Sequence, residues 1–202
     1  RIESGGTILN MVTNDNSINS HNVRGGTVYA KKKVAIRQSN DNSIQQTNVF
    51  EFEYNTTSGN VIDIEGNKND EFSLNNCQFN GNFLVEKVSN LNIQNTSING
   101  VLNAVQCGKI ESNNSSHVGL NSQSPIVLEN TSIFNIQSSK METTSSTPHI
   151  QTKTDGNCKV NLKGVNFVDT TEENSSLACI ETYGKGQTIC EVGTCNSKRS
   201  KF

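Results

Sequence analysis

Few side chains in this sequence stand where they could do chemistry. Asp63 and Glu65 lie two apart in "IDIEG", which puts both on one face of an extended strand. A chain that coils back on itself would bring Glu86 beside them. Two carboxylates facing each other across about 5–10 Å are what hydrolysis of a glycosidic bond requires. This pair alternates with Ile62 and Ile64, however, and reads as the solvent face of a strand whose other face is core. His117 sits in "SHVG" and His149 in "PHIQ", and no Asp-Asp pair occurs. A duplicated "NDN" around Asp15 and Asp41 offers oxygen ligands on a turn. Without the Gly-Asp nonapeptide of calcium-binding solenoids it reads as an Asn-rich corner. Cys190 and Cys195 have no nearby Cys or His pair at zinc spacing, so a disulfide is expected there rather than a metal. No catalytic residue, metal ligand or cofactor is assigned.

Charge and composition narrow the classes further. The basic clusters Lys31-Lys32-Lys33 and Lys198-Arg199-Ser200-Lys201 stand in a chain of net charge -2 with no interleaved aromatics. They read as solvated, and no nucleic-acid partner is expected. No run of 18 apolar residues exists, so no membrane-spanning segment is expected. The chain begins without Met or a signal peptide and reads as a processed product or an excised piece. Six Cys, an even number, accompany sequons at Asn55, Asn95, Asn113, Asn114, Asn130 and Asn174. Together they point to an oxidising compartment, hence an extracellular or cell-surface location. Hydrophobic residues make up 32% of the chain and the mean hydropathy is -0.55, values that raise disorder. The small net charge and the order among the apolar residues argue for a folded chain. The abundance of Val, Ile and Thr favours strands.

That order is a repeat. "GGTILNMVTNDNSINSHNV" is followed by "GGTVYAKKKVAIRQSNDNSIQQTNV". The openings, at Gly5 and Gly25, lie 20 residues apart and the shared "NDNSI" closings, at Ile18 and Ile44, lie 26 apart. The difference reads as a six-residue insertion around "KKKVAI" in a solenoid. Further on, "FSLNNCQF", "LNIQNTSI", "IVLENTSI" and "VNLKGVNF" share one template. Each has apolar first, third and eighth positions: Phe72/Leu74/Phe79, Leu91/Ile93/Ile98, Ile126/Leu128/Ile133 and Val160/Leu162/Phe167. The fifth position is Asn76, Asn95, Asn130 and Gly164, residue types suited to positive φ. This is strand, corner, strand. A looser class alternates with it: "VIDI", "FLVE", "AVQC", "HIQT" and "ACIE". An antiparallel sandwich has no reason to repeat such a template in phase. The pattern predicts an all-β chain, one domain over 1–202, forming a single-stranded right-handed parallel β-helix (a solenoid) of about seven circuits. Asn76, Asn95, Asn130 and Gly164 would form one corner column, with the amides pointing inward in a ladder.

The Gly pairs in "GGTI" and "GGTV", with "FNGN" from Phe79 to Asn82, resemble the GGA[I/L/V] and FxxN repeats of polymorphic outer-membrane proteins. Thr replaces Ala after the Gly pair, and one FxxN is complete. The resemblance implies a right-handed parallel β-helix serving as an adhesin or surface scaffold. The polygalacturonase-like enzymes of the same fold carry NTD, DD, GHG and RIK signatures, which do not occur here.

The chain is therefore expected to be a non-enzymatic extracellular or cell-surface module, structural or adhesive. Open solenoid ends would stack head to tail into a filament, because bare ends leave backbone groups unpaired. Other expected partners are glycans or neighbouring surface molecules. The alternatives are a polysaccharide-processing enzyme or a non-catalytic glycan-binding module. Glycans are expected on some of Asn55, Asn113, Asn114 and Asn174, which read as loop residues, and none on Asn95 or Asn130. Aligning "NCKVNL" with "ICEVGT" stacks Cys158 on Cys190 and predicts a bridge between them, with a local Cys190–Cys195 clip as competitor.

Overall fold

The computed structural model describes the backbone of strands at 2–4, 9–13, 18–30, 36–40 and 44–65. It describes 71–120, 123–143, 147–170, 177–197 and residue 199 with their side chains. Every regular element among the described residues is a strand. In chain order these are β1 (Ile2–Ser4), β2 (Leu9–Thr13), β3 (Ile18–Ala30), β4 (Ile36–Asn40), β5 (Ile44–Glu65), β6 (Glu71–Asn75) and β7 (Gln78–Glu86). Then come β8 (Asn90–Gln94), β9 (Ser97–Asn99), β10 (Leu102–Val105), β11 (Lys109–Asn113), β12 (Ser116–Gly119), β13 (Ile126–Glu129) and β14 (Ile133–Gln137). The last are β15 (Lys140–Thr143), β16 (Ile150–Lys153), β17 (Asn157–Lys163), β18 (Asn166–Asp169), β19 (Ile180–Tyr183) and β20 (Gln187–Val192).

All pairings are parallel, and from β8 onward each strand pairs with the strand three further on. Three columns result. The first stacks β6, β8, β11, β14, β17 and β20. The second runs from the start of β7 through β9, β12, β15 and β18 to an isolated bridge at Asn196. The third runs from the end of β7 through β10, β13, β16 and β19. The long strands β3 and β5 extend the columns towards the N-terminus. There Ile18 lies opposite Ile44 and Val23 opposite Val49, so the repeated phrase is in register, 26 residues apart. Gly5 and Gly6 lie outside the described residues, but the strands on either side of them do not keep the 20-residue offset. Ile2 pairs with Val28, Leu9 with Ile36 and Gly26 with Phe52, so the offset is already 26 or 27 from the start. The expected insertion is not needed.

Alternation builds the core. From β6 to β18 every second residue of a strand turns inward, and equivalent residues stack along the column. Phe72, Leu91, Ile110, Phe134 and Val160 form one such row, all buried. Phe79, Ile98, His117, Met141 and Phe167 form another. Phe83, Leu102, Ile126, Ile150 and Ile180 form a third. Each fully buried Leu, Ile or Phe contributes about 1.5–3 kcal/mol, so a narrow core suffices for a polar chain. Where one level of the columns touches the next backbone to backbone, only Gly fits: a Cβ on Gly100 would lie 2.2 Å from the Gly81 carbonyl oxygen. These are the glycines of "FNGN" and "SING". In the first of them Asn82 Oδ1 accepts from the Val101 amide at 3.0 Å.

Candidate functional site

The corners are where the sequence and the structure meet most closely, and where two expectations change. Asn76, Asn95, Asn114, Ser138 and Gly164 follow the first-column strands with φ of 53°, 49°, 50°, 50° and 64°. Lys87, Gln106 and Asn130 follow the third-column strands with φ of 59°, 54° and 48°. Asn130 thus belongs to a second corner, not to the column of Asn76, Asn95 and Gly164. The reason is that "IVLENTSI" is a third-column strand, and its eighth residue, Ile133, faces outward in β14. Asn tolerates the left-handed conformation because its short amide bonds locally. The side chains of Asn76, Asn95 and Asn114 are exposed, so the inward amide ladder is absent from this corner.

The ladder lies one residue later and is made of hydroxyls. Cys77 N donates to Thr96 Oγ1 at 3.3 Å, Thr96 N to Ser115 Oγ at 3.2 Å, and Ser115 N to Ser139 Oγ at 3.1 Å. Each hydroxyl then donates to the carbonyl two residues back, at Gln94, Asn113 and Gln137. Buried corner amides that no strand pairs are satisfied this way. Asn–Asn pairs do occur, but on the outward strand faces: Asn99 Nδ2 donates to Asn80 Oδ1 and Asn161 Nδ2 to Asn135 Oδ1, both at 2.6 Å.

The sequon residues fall differently from their expected loops. Asn55 lies inside β5, opposite Asn80, just before a register shift at Asn60. Asn113 ends β11, half-buried, and Asn114 is the exposed corner after it. Asn130 is half-buried and its Oδ1 accepts from the Asp155 amide at 2.9 Å. Asn174 lies outside the described residues, as do Asp15, Asp41 and Lys31-Lys32-Lys33.

All six cysteines are free thiols. Cys158 lies opposite Thr188 and Val160 opposite Cys190, so the two cysteines are two residues out of register. The stacking that predicted their bridge does not occur. Burial, and secondarily the nearby Cys190 sulfur, pushes the Cys158 thiol up to about 11.

The groups with catalytic chemistry point inward. Ser112 interrupts an aliphatic row and His117 an apolar one at the same level, and they hydrogen-bond at 2.8 Å between Oγ and Nε2, with His117 Nδ1 buried and without a partner. Burial lowers the His117 pKa to about 4. Near the C-terminus, Arg199 donates to Asp169 Oδ1 from Nε at 2.9 Å and from Nη2 at 2.6 Å. It also donates to the carbonyls of Ala178 and Thr147, both at 2.8 Å. Arg199 is only 3% exposed, so this part of the basic tail is not solvated as expected. His149 lies 3.5 Å from the same Asp169 oxygen and 3.1 Å from the Val168 carbonyl. That carbonyl is an acceptor, which places the proton on Nε2 and leaves Nδ1 without a partner. Burial lowers the His149 pKa to about 4, with Arg199 adding to the effect and Val168 and Asp169 opposing it. The imidazole is neutral at pH 7, so its approach to Asp169 is not an ion pair there.

The outward first-column face carries a groove of about 630 Å³ crossed by the row Glu111, Asn135, Asn161 and Glu191. Glu111 is paired with Lys109 and Glu191 with Lys159, each at 2.7 Å. Three ladder steps of about 4.8 Å put the two carboxylates about 14 Å apart, beyond the span of a glycosidase pair. Glu65 does lie opposite Glu86, whereas Asp63 lies opposite Leu84. Among the described residues no cluster of three or more His, Cys, Asp or Glu is arranged to hold a metal ion. No helix among them is long and apolar enough to cross a membrane. Compared with protein-family models, curated proteins and solved structures, the chain matches none.

Proposed function

We propose that the chain is a right-handed single-stranded parallel β-helix serving as a structural or adhesive module outside the cell or on its surface, without enzymatic activity. One observation carries this reading. The hydroxyl, imidazole and carboxylate of Ser112, His117, His149 and Asp169 are buried and spent on one another and on Arg199, Ser112 holding His117 within one level and Asp169 holding Arg199 across levels. The outward faces instead offer in-register polar rows, a repetitive surface suited to many weak contacts.

A second copy is the partner of the last strand. β20 pairs with β17 on one side, and Ile189 and Val192 are 45% and 42% exposed on it. Among the described residues no strand pairs with its other edge; such an edge is a template for further parallel pairing, and a contact that does not close gives filaments. A glycan-binding module is the second reading, favoured by the Asn-lined groove on the first column.

The test combines two measurements on purified protein. Electron microscopy is expected to show concentration-dependent fibres, and a panel of cell-surface and microbial glycans is expected to show saturable binding without release of reducing ends. Measurable turnover on any polysaccharide would overturn the non-enzymatic reading, and dispersed monomers at high concentration would remove self-association.

A further inference from the structure

Residues 195–197 and Arg199 lie over the end of the columns and are held there at Asn196, Ser197 and Arg199. Asn196 bridges to Asn166 and its amide donates to the Val165 carbonyl at 2.9 Å. Cys195 therefore lies over Val165, at the top of the column that carries the hydroxyl ladder. Ser197 Oγ accepts from the Arg199 amide at 2.9 Å and lies 3.2 Å from Cys179 Sγ. Arg199 then enters the Asp169 site and also holds the carbonyl of Ala178, the residue before Cys179. Cys179 is fully buried, and its carbonyl accepts from the His149 amide at 2.9 Å. Cys195 packs against the core cluster that contains Cys179. It also lines a cleft of about 410 Å³ bounded by Asn166, Phe167, Asp169 and Ser197.

We infer that Cys195 and Cys179 are a redox pair, a cleft-facing thiol and a buried resolving thiol that close into a disulfide and bolt this segment to the end of the columns. The co-reactant is a small disulfide such as glutathione disulfide. The Cys195 thiolate attacks one of its sulfurs, a mixed disulfide forms, and one glutathione thiolate leaves and takes a proton from water. Cys179 loses its proton to water and attacks the Cys195 sulfur, forming the protein disulfide and expelling the second glutathione, which is protonated in turn. Two protein thiols lose two electrons and two protons, and one small disulfide becomes two thiols.

The order of events follows from access. Burial holds the Cys179 thiol above its ordinary pKa, with Ser197 and Arg199 opposing and Asp169 and Cys195 adding to the rise, whereas Cys195 is only partly buried and so reacts first. Cys158 and Cys190 sit on a ladder diagonal, where Cα atoms are about 7–8 Å apart, beyond what a disulfide spans without backbone movement.

The full chain is equilibrated in a glutathione redox buffer, quenched with acid and mapped as peptides without reduction. The expected map contains Cys179 joined to Cys195. Amide exchange at Asn196 is expected to slow by at least about tenfold on oxidation, because opening of the segment is suppressed. In Cys179→Ser, glutathione is expected to remain trapped on Cys195. Cys195 joined to Cys190, Cys179 joined to any other cysteine, or both thiols free at the oxidising end of the buffer series would each overturn the pairing. The wild-type map decides even if the variant does not fold.

Discussion

Arg199 and Asp169, 30 residues apart in the chain, meet at 2.6 Å with both side chains sealed from solvent. Removing one partner of such a pair leaves a buried charge alone. Arg199→Ala is expected to cost about 3–5 kcal/mol in urea unfolding, and Asp169→Leu a similar amount. The double variant is expected to cost clearly less than the sum, because neither charge is then stranded. Single variants within about 0.5 kcal/mol of wild type would mean that the tail does not enter the columns.

The hydroxyl ladder makes a separate prediction. Ser115→Ala strips the acceptor from the buried Thr96 amide and is expected to cost about 1–3 kcal/mol. Ser115→Thr keeps the acceptor at a position where the neighbouring circuit already carries Thr, and is expected to be close to neutral. Denaturation midpoints of the two variants measured side by side check this. Equal losses would point to packing rather than hydrogen bonding.

Asn95 tests the corner alone, since its side chain is exposed and its φ is 49°. Asn95→Gly is expected to be neutral or stabilising, and Asn95→Val to cost about 1–2 kcal/mol through left-handed strain. Thermal unfolding of both variants gives the comparison. Val tolerated as well as Gly would mean that the corner is not left-handed.

Acid is expected to loosen the fold through its buried histidines. An unfolded His takes up a proton near pH 6.5, whereas His117 and His149 stay neutral in the folded chain down to about 4. Between those values the unfolded state binds more protons, so stability is full above pH 6.5 and falls as the pH drops towards 4. A fully shifted His accounts for about 3 kcal/mol of that loss. The paired variant Ser112→Ala with His117→Leu is expected to flatten the slope of stability against pH between 6.5 and 4.5. An unchanged slope would mean that His117 titrates in the folded protein as it does in water.

Much of the strand-and-corner plan was legible because apolar alternation survives in most circuits. Phe72/Leu74/Phe79, Leu91/Ile93/Ile98 and Val160/Leu162/Phe167 are all inward, as read. The two missing copies of that template are Ile110/Ser112/His117 and Phe134/Ile136/Met141. In the first, polar residues stand at inward positions and hydrogen-bond to each other, which hides the pattern from a count of apolar residues. The segment at Ile126 filled the gap by imitation, because a third-column strand alternates in the same way. Asn114 was overlooked as a corner for a related reason, since "ESNNSSH" looks like a loop by composition. Nothing local marks Arg199 as buried. Its partners at Thr147, Asp169 and Ala178 come together only when the last circuits are stacked.

The claim on which all of this depends is that the strands of each column stack in register, one step per strand. Ser73, Asn92, Glu111, Asn135, Asn161 and Glu191 form one outward row, each opposite the next. Spin labels attached by non-thiol chemistry at Ser73 and, in turn, at Asn135, Asn161 and Glu191 measure that row directly by electron–electron dipolar coupling. Narrow distance distributions centred near about 14, 19 and 24 Å, rising by about 4.8 Å per step, are expected. Distances that do not rise with each step, or a broad distribution for the Ser73–Glu191 pair, would contradict the stacked columns and every reading built on them.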